Sequence, residues 1–326
     1  MDKNAHDLLD SAVLQKGLAQ FGLDPGSARP CEACENFVYD CDGKIIARFT
    51  HSSHRTLEQV LSELDFISYL AGNGVPCSRP VCGTDGRKAF KVDAGSSYFT
   101  VSAFEKAKGV PPSSENTTKE VISRLGQVIG MTHRLAKSYI PSSGIEKRPH
   151  LFEDEYYANP EKYFLEGDTE MLQAFRKNMD RCRLIEALTD NFGLVHTDFH
   201  QGNFFVEDGE ITVFDFDDSA YFYFADDIAM PLFYRMSGVS ENRIQIATEF
   251  FASLIEGYKK ENDLGVNQLG LMGDFFALRE TLLFGLIGRF VDLQNMSPDK
   301  KAKLTERRSA ILSGRPFLDI DFRQFA

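Results

Sequence analysis

No apolar stretch follows a basic segment at the N-terminus, so no secretory signal is expected and the chain is placed in the cytoplasm. Long uncharged apolar runs are missing too. The most apolar region, Leu269 to Val291, carries Asp274, Arg279, Glu280 and Arg289, which predicts a buried helix and excludes a membrane partner. Positive charge is short: 36 Lys and Arg against 48 Asp and Glu leave a formal net charge of −12. A nucleic-acid partner would need a clustered basic face, so it is excluded, and the short run Lys300 to Arg308 reads as an exposed helix face. The six cysteines do not form two properly spaced pairs, because Cys31-x-x-Cys34 is matched only by Cys77-Ser-Arg-Pro-Val-Cys82. Reduced thiols are expected instead of structural zinc or a disulfide. Internal repeats, low-complexity tracts, a Gly-x-Gly-x-x-Gly loop and a Walker-type Gly-x-x-x-x-Gly-Lys-Ser/Thr loop are all lacking.

What remains is an ordinary globular composition, 43% apolar and 26% charged over 326 residues, enough for two domains or one bilobal unit. The pattern predicts an amphipathic helix over 5–20, a hairpin over 36–50, a helix over 55–72 and further strands over 78–104. Thr117-Thr-Lys-Glu120 has the form of a capping box ahead of Val121, Leu125 and Ile129, so a helix is expected to start there. Helices over 169–190, 241–261 and 268–295 follow. The expected class is α+β, a mostly β half with one long helix followed by a mainly helical half.

One stretch carries chemistry. From Gly193 it reads Gly-Leu-Val-His196-Thr197-Asp198-Phe199-His200-Gln-Gly-Asn203-Phe-Phe-Val, then a turn at Asp208-Gly209, then Ile-Thr-Val-Phe-Asp215-Phe-Asp217. The two apolar runs around Asp-Gly predict a β-hairpin, with Asn203 at the start of the first strand facing Asp215 near the end of the second. Asn203 and Asp215 offer hard oxygen ligands for magnesium on ATP phosphates, and Asp198 can orient a hydroxyl and take its proton.

This stretch resembles the aminoglycoside phosphotransferase and choline kinase family, whose loop reads His-Gly-Asp-Leu-His-x-x-Asn before Ile-Asp-Phe-Asp. Thr197 stands where the family has Gly. The resemblance implies a bilobal protein-kinase-like fold, with a nucleotide-binding lobe over 1–104 and a catalytic and acceptor-binding lobe over 105–326. It implies ATP and magnesium as cofactors, Asp198 as catalytic base, Asn203 and Asp215 as metal ligands and His196 as a brace for the loop. Asp217 is a candidate at the second metal or the loop, His200 a packing residue or substrate contact, and Asp227 an N-terminal helix cap. Upstream, Arg48 at the end of a predicted strand and Glu63 on the helix over 55–72 would form the ion pair that holds a cation on the phosphates. Lys44 competes for that role but lies beside a turn. Cys34-Glu35-Asn36-Phe37-Val38-Tyr39 resembles the turn covering the phosphates, and backbone groups around Ala103 to Glu105 would meet the adenine edge. Segment 138–167, with Arg148, His150 and Tyr157, would either overhang the acceptor or pack between helices.

The implied activity is phosphoryl transfer to a hydroxyl of a small molecule: an aminoglycoside, a choline-like or homoserine-like amine, or a sugar. A protein Ser/Thr acceptor and a nucleotide-binding regulator without turnover are the alternatives; the first is disfavoured by the lack of a segment ending in Ala-Pro-Glu. Oligomeric state is left open.

Overall fold

The computed structural model describes residues 3–33 and 35–326, so Cys34, and with it the Cys31-x-x-Cys34 pair, lies outside the described residues. The chain divides into two compact units. One holds the chain up to Asn116 with Ser138–Arg148 and Gly202–Ser219; the other holds Thr117–Lys137, Pro149–Gln201 and Ala220–Ala326.

The first unit begins with helices α1 (Lys3–Leu8) and α2 (Ser11–Ala19), where one continuous helix was expected. Asp10 causes the break: its backbone is extended and its carboxylate accepts from the Ala12 and Val13 N–H groups at 2.9 and 2.8 Å, capping a new helix. Strands β1 (Ala28–Cys31), β2 (Phe37–Cys41), β3 (Ile45–His51), β4 (Ala89–Ala94) and β5 (Ser97–Glu105) form an antiparallel sheet in the order β1-β2-β3-β5-β4. The β2–β3 turn closes through Asp42 and Gly43 at left-handed φ values of 56° and 68°. Ala47, Phe49, Val92, Phe99 and Val101 form one face of the sheet and pack with Val13 and Leu18 of α2. Between β3 and β4 runs α3 (Leu57–Gly72), started by a capping box in which Thr56 and Gln59 satisfy each other's backbone N–H groups.

After strand β6 (Phe192–Val195), which belongs to the second unit, the chain returns to the first as the hairpin β7 (Phe204–Glu207) and β8 (Glu210–Val213). Its two-residue turn, Asp208-Gly209, has positive φ at both positions, the geometry whose twist matches paired strands. Both edges of the hairpin are fixed. The Val213 N–H donates to the Pro76 carbonyl and the Ser78 N–H to the Val213 carbonyl, both at 2.9 Å, while Val110 and Val206 exchange backbone bonds of 3.1 and 2.9 Å. Gly109 makes the second approach possible, since a Cβ there would lie 2.2 Å from the Val206 carbonyl oxygen. Segment Ser138–Arg148 lies along α3: the Tyr139 hydroxyl and the Ser142 N–H donate to Asp65 at 2.7 and 3.1 Å, and the Ser62 hydroxyl donates to the Glu146 carbonyl at 2.7 Å.

The second unit pairs β6 with β9 (Ala220–Tyr223) among helices α4 (Lys119–Ala136), α5 (Glu155–Ala158), α6 (Thr169–Arg183), α7 (Phe224–Met236), α8 (Arg243–Tyr258), α9 (Val266–Leu269), α10 (Met272–Gly285), α11 (Ile287–Phe290) and α12 (Pro298–Leu312). Helix α4 is capped by Thr118, whose hydroxyl accepts from the Val121 N–H, so the box expected from Thr117 to Glu120 does not form; of two adjacent threonines, the second is the one with extended backbone at the helix start. Helices α4 and α8 cross at glycines. A Cβ on Gly126 would sit 1.8 Å from the Leu254 carbonyl oxygen, and one on Gly257 would sit 1.7 Å from that of Ser123.

Helix α6 stops at Arg183 instead of 190 because Asn191 folds the following turn, accepting from the Leu188 N–H and donating to the Glu186 carbonyl at 2.7 and 2.9 Å. The helix expected over 268–295 is three helices, interrupted around Gly270 and Gly285. No helix among the described residues is long and apolar enough to cross a membrane. The five described cysteines, Cys31, Cys41, Cys77, Cys82 and Cys182, are free thiols.

Candidate active site

In the first unit, β3 presents Arg48 and α3 presents Glu63. The guanidinium donates in a two-pronged fork, Nη1 to Oε1 at 2.9 Å and Nη2 to Oε2 at 2.5 Å, and both side chains are buried. Burial works against the charge of Arg48, but the Glu63 carboxylate outweighs it and keeps the guanidinium ionised well above its usual range. Arg48 Nη1 also stands 3.9 Å from Asp215 Oδ1. Three residues far apart in sequence are thus brought together. Lys44 stays at the turn, where its carbonyl accepts from the Lys106 N–H.

Asp215 is not on strand β8, as the hairpin pattern had suggested. The strand ends at Val213, the Phe214 N–H closes on the Asn203 carbonyl at 2.9 Å, and Asp215 follows with a left-handed φ of 64°. That backbone is costly for a residue with a Cβ and turns the carboxylate off the strand end, leaving about half of its side-chain surface exposed. Asn203 sits at the hairpin's other arm and is buried. An amide oxygen and a part-exposed carboxylate are hard donors, the chemistry that suits a magnesium ion on phosphate oxygens.

Asp217 is the knot of the first unit. Its Oδ2 accepts from Asn36 Nδ2 at 3.3 Å and lies 2.5 Å from His54 Nε2, while Arg55 Nε is 3.8 Å from Oδ1. Burial alone would raise this carboxyl; His54, Arg55 and Arg48 together hold it well below the usual carboxylate range. His54 is raised in return, its loss of hydration being outweighed by Asp217. Glu35 Oε2 is 3.5 Å from the same imidazole nitrogen, so Glu35 and Asn36 of the predicted phosphate-covering turn meet the residues after β8.

Asp198 lies in the second unit. His196 and Thr197 donate their N–H groups to Asp227 at 3.2 and 2.7 Å, and the Asp198 N–H donates to His196 Nδ1 at 3.3 Å, so the imidazole braces the turn from within. Asp227 is therefore not a helix cap. It lies within α7, whose cap position is Tyr223, and its buried carboxylate also pairs with His133 Nε2 at 2.9 Å. Thr197 has a φ of 67°, so a β-branched residue occupies the conformation that a glycine would enter freely.

Besides His200, the Asp198 carboxylate is gripped by two residues to which the pattern gave no role in the site. Arg279 of α10 donates to Oδ1, as does the Tyr234 hydroxyl of α7 at 3.1 Å; Arg279 also bonds the Tyr234 oxygen at 2.6 Å. His200 Nε2 lies 3.1 Å from Oδ2. Burial raises the Asp198 carboxyl, but Arg279 and then His200 and His196 more than reverse this and hold it far below the ordinary range. The signal for Arg279 was present: a cation inside the most apolar helix must have a partner.

Two backbone groups of the predicted adenine-binding stretch are already engaged. The Ala103 carbonyl accepts from the Val81 N–H, and the Glu105 N–H donates to the Arg79 carbonyl, both at 2.8 Å, so segment 79–81 covers this edge of β5. Segment 138–167 divides between the units: Ser138–Arg148 lies on α3, while beyond it His150, Phe152 and Tyr157 pack among Phe192, Phe222 and Phe175.

Residues 32–264 match the phosphotransferase enzyme family. Over 320 residues the chain is 30% identical to amicoumacin kinase of Bacillus subtilis (strain 168), covering 96% of this chain and 95% of that protein. Among solved structures it is similar to an amicoumacin kinase, hAmiN, in complex with AMP-PNP, Ca2+ and Ami, at a TM-score of 0.93 and 29% identity over the whole of both chains. It also resembles a microcompartment-associated aminopropanol kinase at a TM-score of 0.74 and 20% identity, covering 93% of this chain and 96% of the other, a likeness of fold. The expected α+β, protein-kinase-like fold is the one these structures share. The chain belongs to the phosphotransferase enzyme family and is a small-molecule kinase that transfers phosphate to a hydroxyl group.

Proposed function

We propose that the chain transfers the γ-phosphoryl group of ATP, in a magnesium-dependent reaction, to a hydroxyl of amicoumacin or a related amine-bearing alcohol. The observation that supports the reaction is the buried Arg48–Glu63 fork with Arg48 3.9 Å from Asp215, a cation beside a carboxylate suited to a metal on nucleotide phosphates. The acceptor reading rests on the full-length similarity to amicoumacin kinases. Residues 1–104 would hold the nucleotide and residues 105–326 the base and acceptor, in the cytoplasm, where ATP is available.

Asn203 and Asp215 would hold the magnesium ion, which when bound neutralises charge on the phosphate oxygens. Arg48 contacts those oxygens, and Glu63 keeps its fork oriented. Of the stretch Ala103 to Glu105, the Glu105 carbonyl lies past the groups bonded to segment 79–81 and is the one proposed to meet the adenine edge. In the transfer, the bond from the γ-phosphorus to its bridging oxygen breaks, a bond to the acceptor oxygen forms, and the hydroxyl proton passes to Asp198. A carboxylate held so acidic is a weak base, so Asp198 acts mainly by orienting the hydroxyl, with proton transfer late, as a loose transition state allows. His196, bonded to the Asp198 backbone, keeps the loop in place, and Asp217 anchors the turn at Asn36.

The test measures ADP release with magnesium-ATP and a panel of amicoumacin, small amino alcohols, aminoglycosides, choline and sugars, for wild type and Asp198→Asn. Amicoumacin is expected to be turned over, with a loss of about 100-fold or more in Asp198→Asn, within the range general-base removal commonly costs. Turnover undiminished in Asp198→Asn would remove the role given to Asp198.

A further inference from the structure

Arg148 takes no part in the reaction scheme above, yet it is buried in the first unit and donates through all three of its guanidinium nitrogens. Its Nε donates to the Ser219 carbonyl at 2.6 Å, Nη2 to the Asp217 carbonyl at 2.5 Å and Nη1 to the Gln59 carbonyl at 3.1 Å. All three acceptors are backbone. A guanidinium buried on this scale is retained only when its planar array of donors is satisfied, and no other side chain reaches three carbonyls in fixed directions.

The location of the three carbonyls gives the arrangement its meaning. Gln59 lies in the first turn of α3, one turn before Glu63. Asp217 and Ser219 close the segment that begins with Asp215. Arg148 itself ends the strap Ser138–Arg148, which is fastened farther along α3 by Tyr139 and Ser142 on Asp65 and by Ser62 on Glu146. The strap therefore ties the helix bearing Glu63 to the loop bearing Asp215, the two partners that flank Arg48.

We propose that Arg148 is a positioning residue that fixes α3 and the Asp215–Ser219 segment as one body, so that the phosphate cation and the metal ligand are aligned before nucleotide arrives. This rests on the reading of Arg48 and Asp215 given above. Removing Arg148 leaves Arg48, Glu63 and Asp215 chemically intact but lets helix and loop drift apart.

The test uses the full chain as wild type, Arg148→Met and Arg148→Lys, and reads binding of a fluorescent ATP analogue as magnesium is titrated. Loss of groups that orient metal ligands commonly costs about 10- to 100-fold in metal affinity, and a half-saturating magnesium concentration raised at least about tenfold is expected in Arg148→Met. Arg148→Lys, which can serve one carbonyl but not three, should fall between. Amide exchange over 57–63 and 214–219 should speed up in the Lys variant while α8 is unchanged, a readout that holds if the Met variant does not fold. Wild-type magnesium dependence in a folded variant, or faster exchange spread evenly over α8 as well, would overturn the proposal. Failure of wild type itself to bind nucleotide with magnesium would instead strike the underlying function.

Discussion

Replacing Arg279 by Met tests the electrostatics of the Asp198 carboxylate most directly. The guanidinium donates to Asp198 Oδ1 and to the Tyr234 oxygen from inside α10, and both charged partners are largely shielded from water. A hydrogen bond to a charged group contributes about 1.5–3 kcal/mol, and at about 1.36 kcal/mol per unit its loss should raise the Asp198 carboxyl by about 1–2 units. His200 and Tyr234 remain on the carboxylate, so the shift is bounded. The sign follows from linkage. Because the folded-state value is depressed, Asp198 contributes stability above its unfolded value of about 3.9 and loses it as pH falls through the folded value. In Arg279→Met that contribution shrinks, so acid unfolding should begin at higher pH. The assay is the pH profile of ADP release with whichever acceptor wild type turns over, together with acid titration of the fold by circular dichroism. The acid limb of the variant should move up by about 1–2 pH units, and Tyr234→Phe, which removes a neutral donor, should move it less. An acid limb that stays in place in a folded Arg279→Met would refute the reasoning.

Three further outcomes follow from the same geometry. Glu63→Ala leaves Arg48 buried without its partner, so a loss of about 3–5 kcal/mol in chemical denaturation is expected, together with weaker nucleotide binding; unchanged stability would mean the pair is hydrated. Asp227→Asn can still accept one loop N–H but not all three bonds, so kcat should drop more than the KM for ATP rises; a pure KM effect would contradict its loop-holding role. Gly126→Ala drives a methyl into the Leu254 carbonyl, and a thermal melt should register a destabilisation of about 1–3 kcal/mol or more, whereas an unaltered melt would show that α4 and α8 can separate freely.

Local rules reached far in this chain. Asp208-Gly209 between two β-prone runs determined a two-residue hairpin turn, Thr56 with Gln59 started α3, and the order His196, Asp198, Asn203, Asp215 named the chemistry, because each depends on residues adjacent in sequence. The pairing of Arg48 with Glu63 was legible only through the family resemblance, with strand and helix patterning placing one residue on each element. Tertiary structure alone decided the rest. Asp215 left its strand for a left-handed backbone, Asp227 exchanged a capping role for a buried one, and segment 79–81 bonded two of the backbone groups between Ala103 and Glu105. Within the second unit Arg279 and Tyr234 reach Asp198 across 81 and 36 residues, and within the first Arg148 reaches the Asp217 carbonyl across 69. A buried charge can find its partner anywhere along the chain. Sequence therefore shows that Arg279 needs a partner, and only the packing of α10 against α7 selects Asp198.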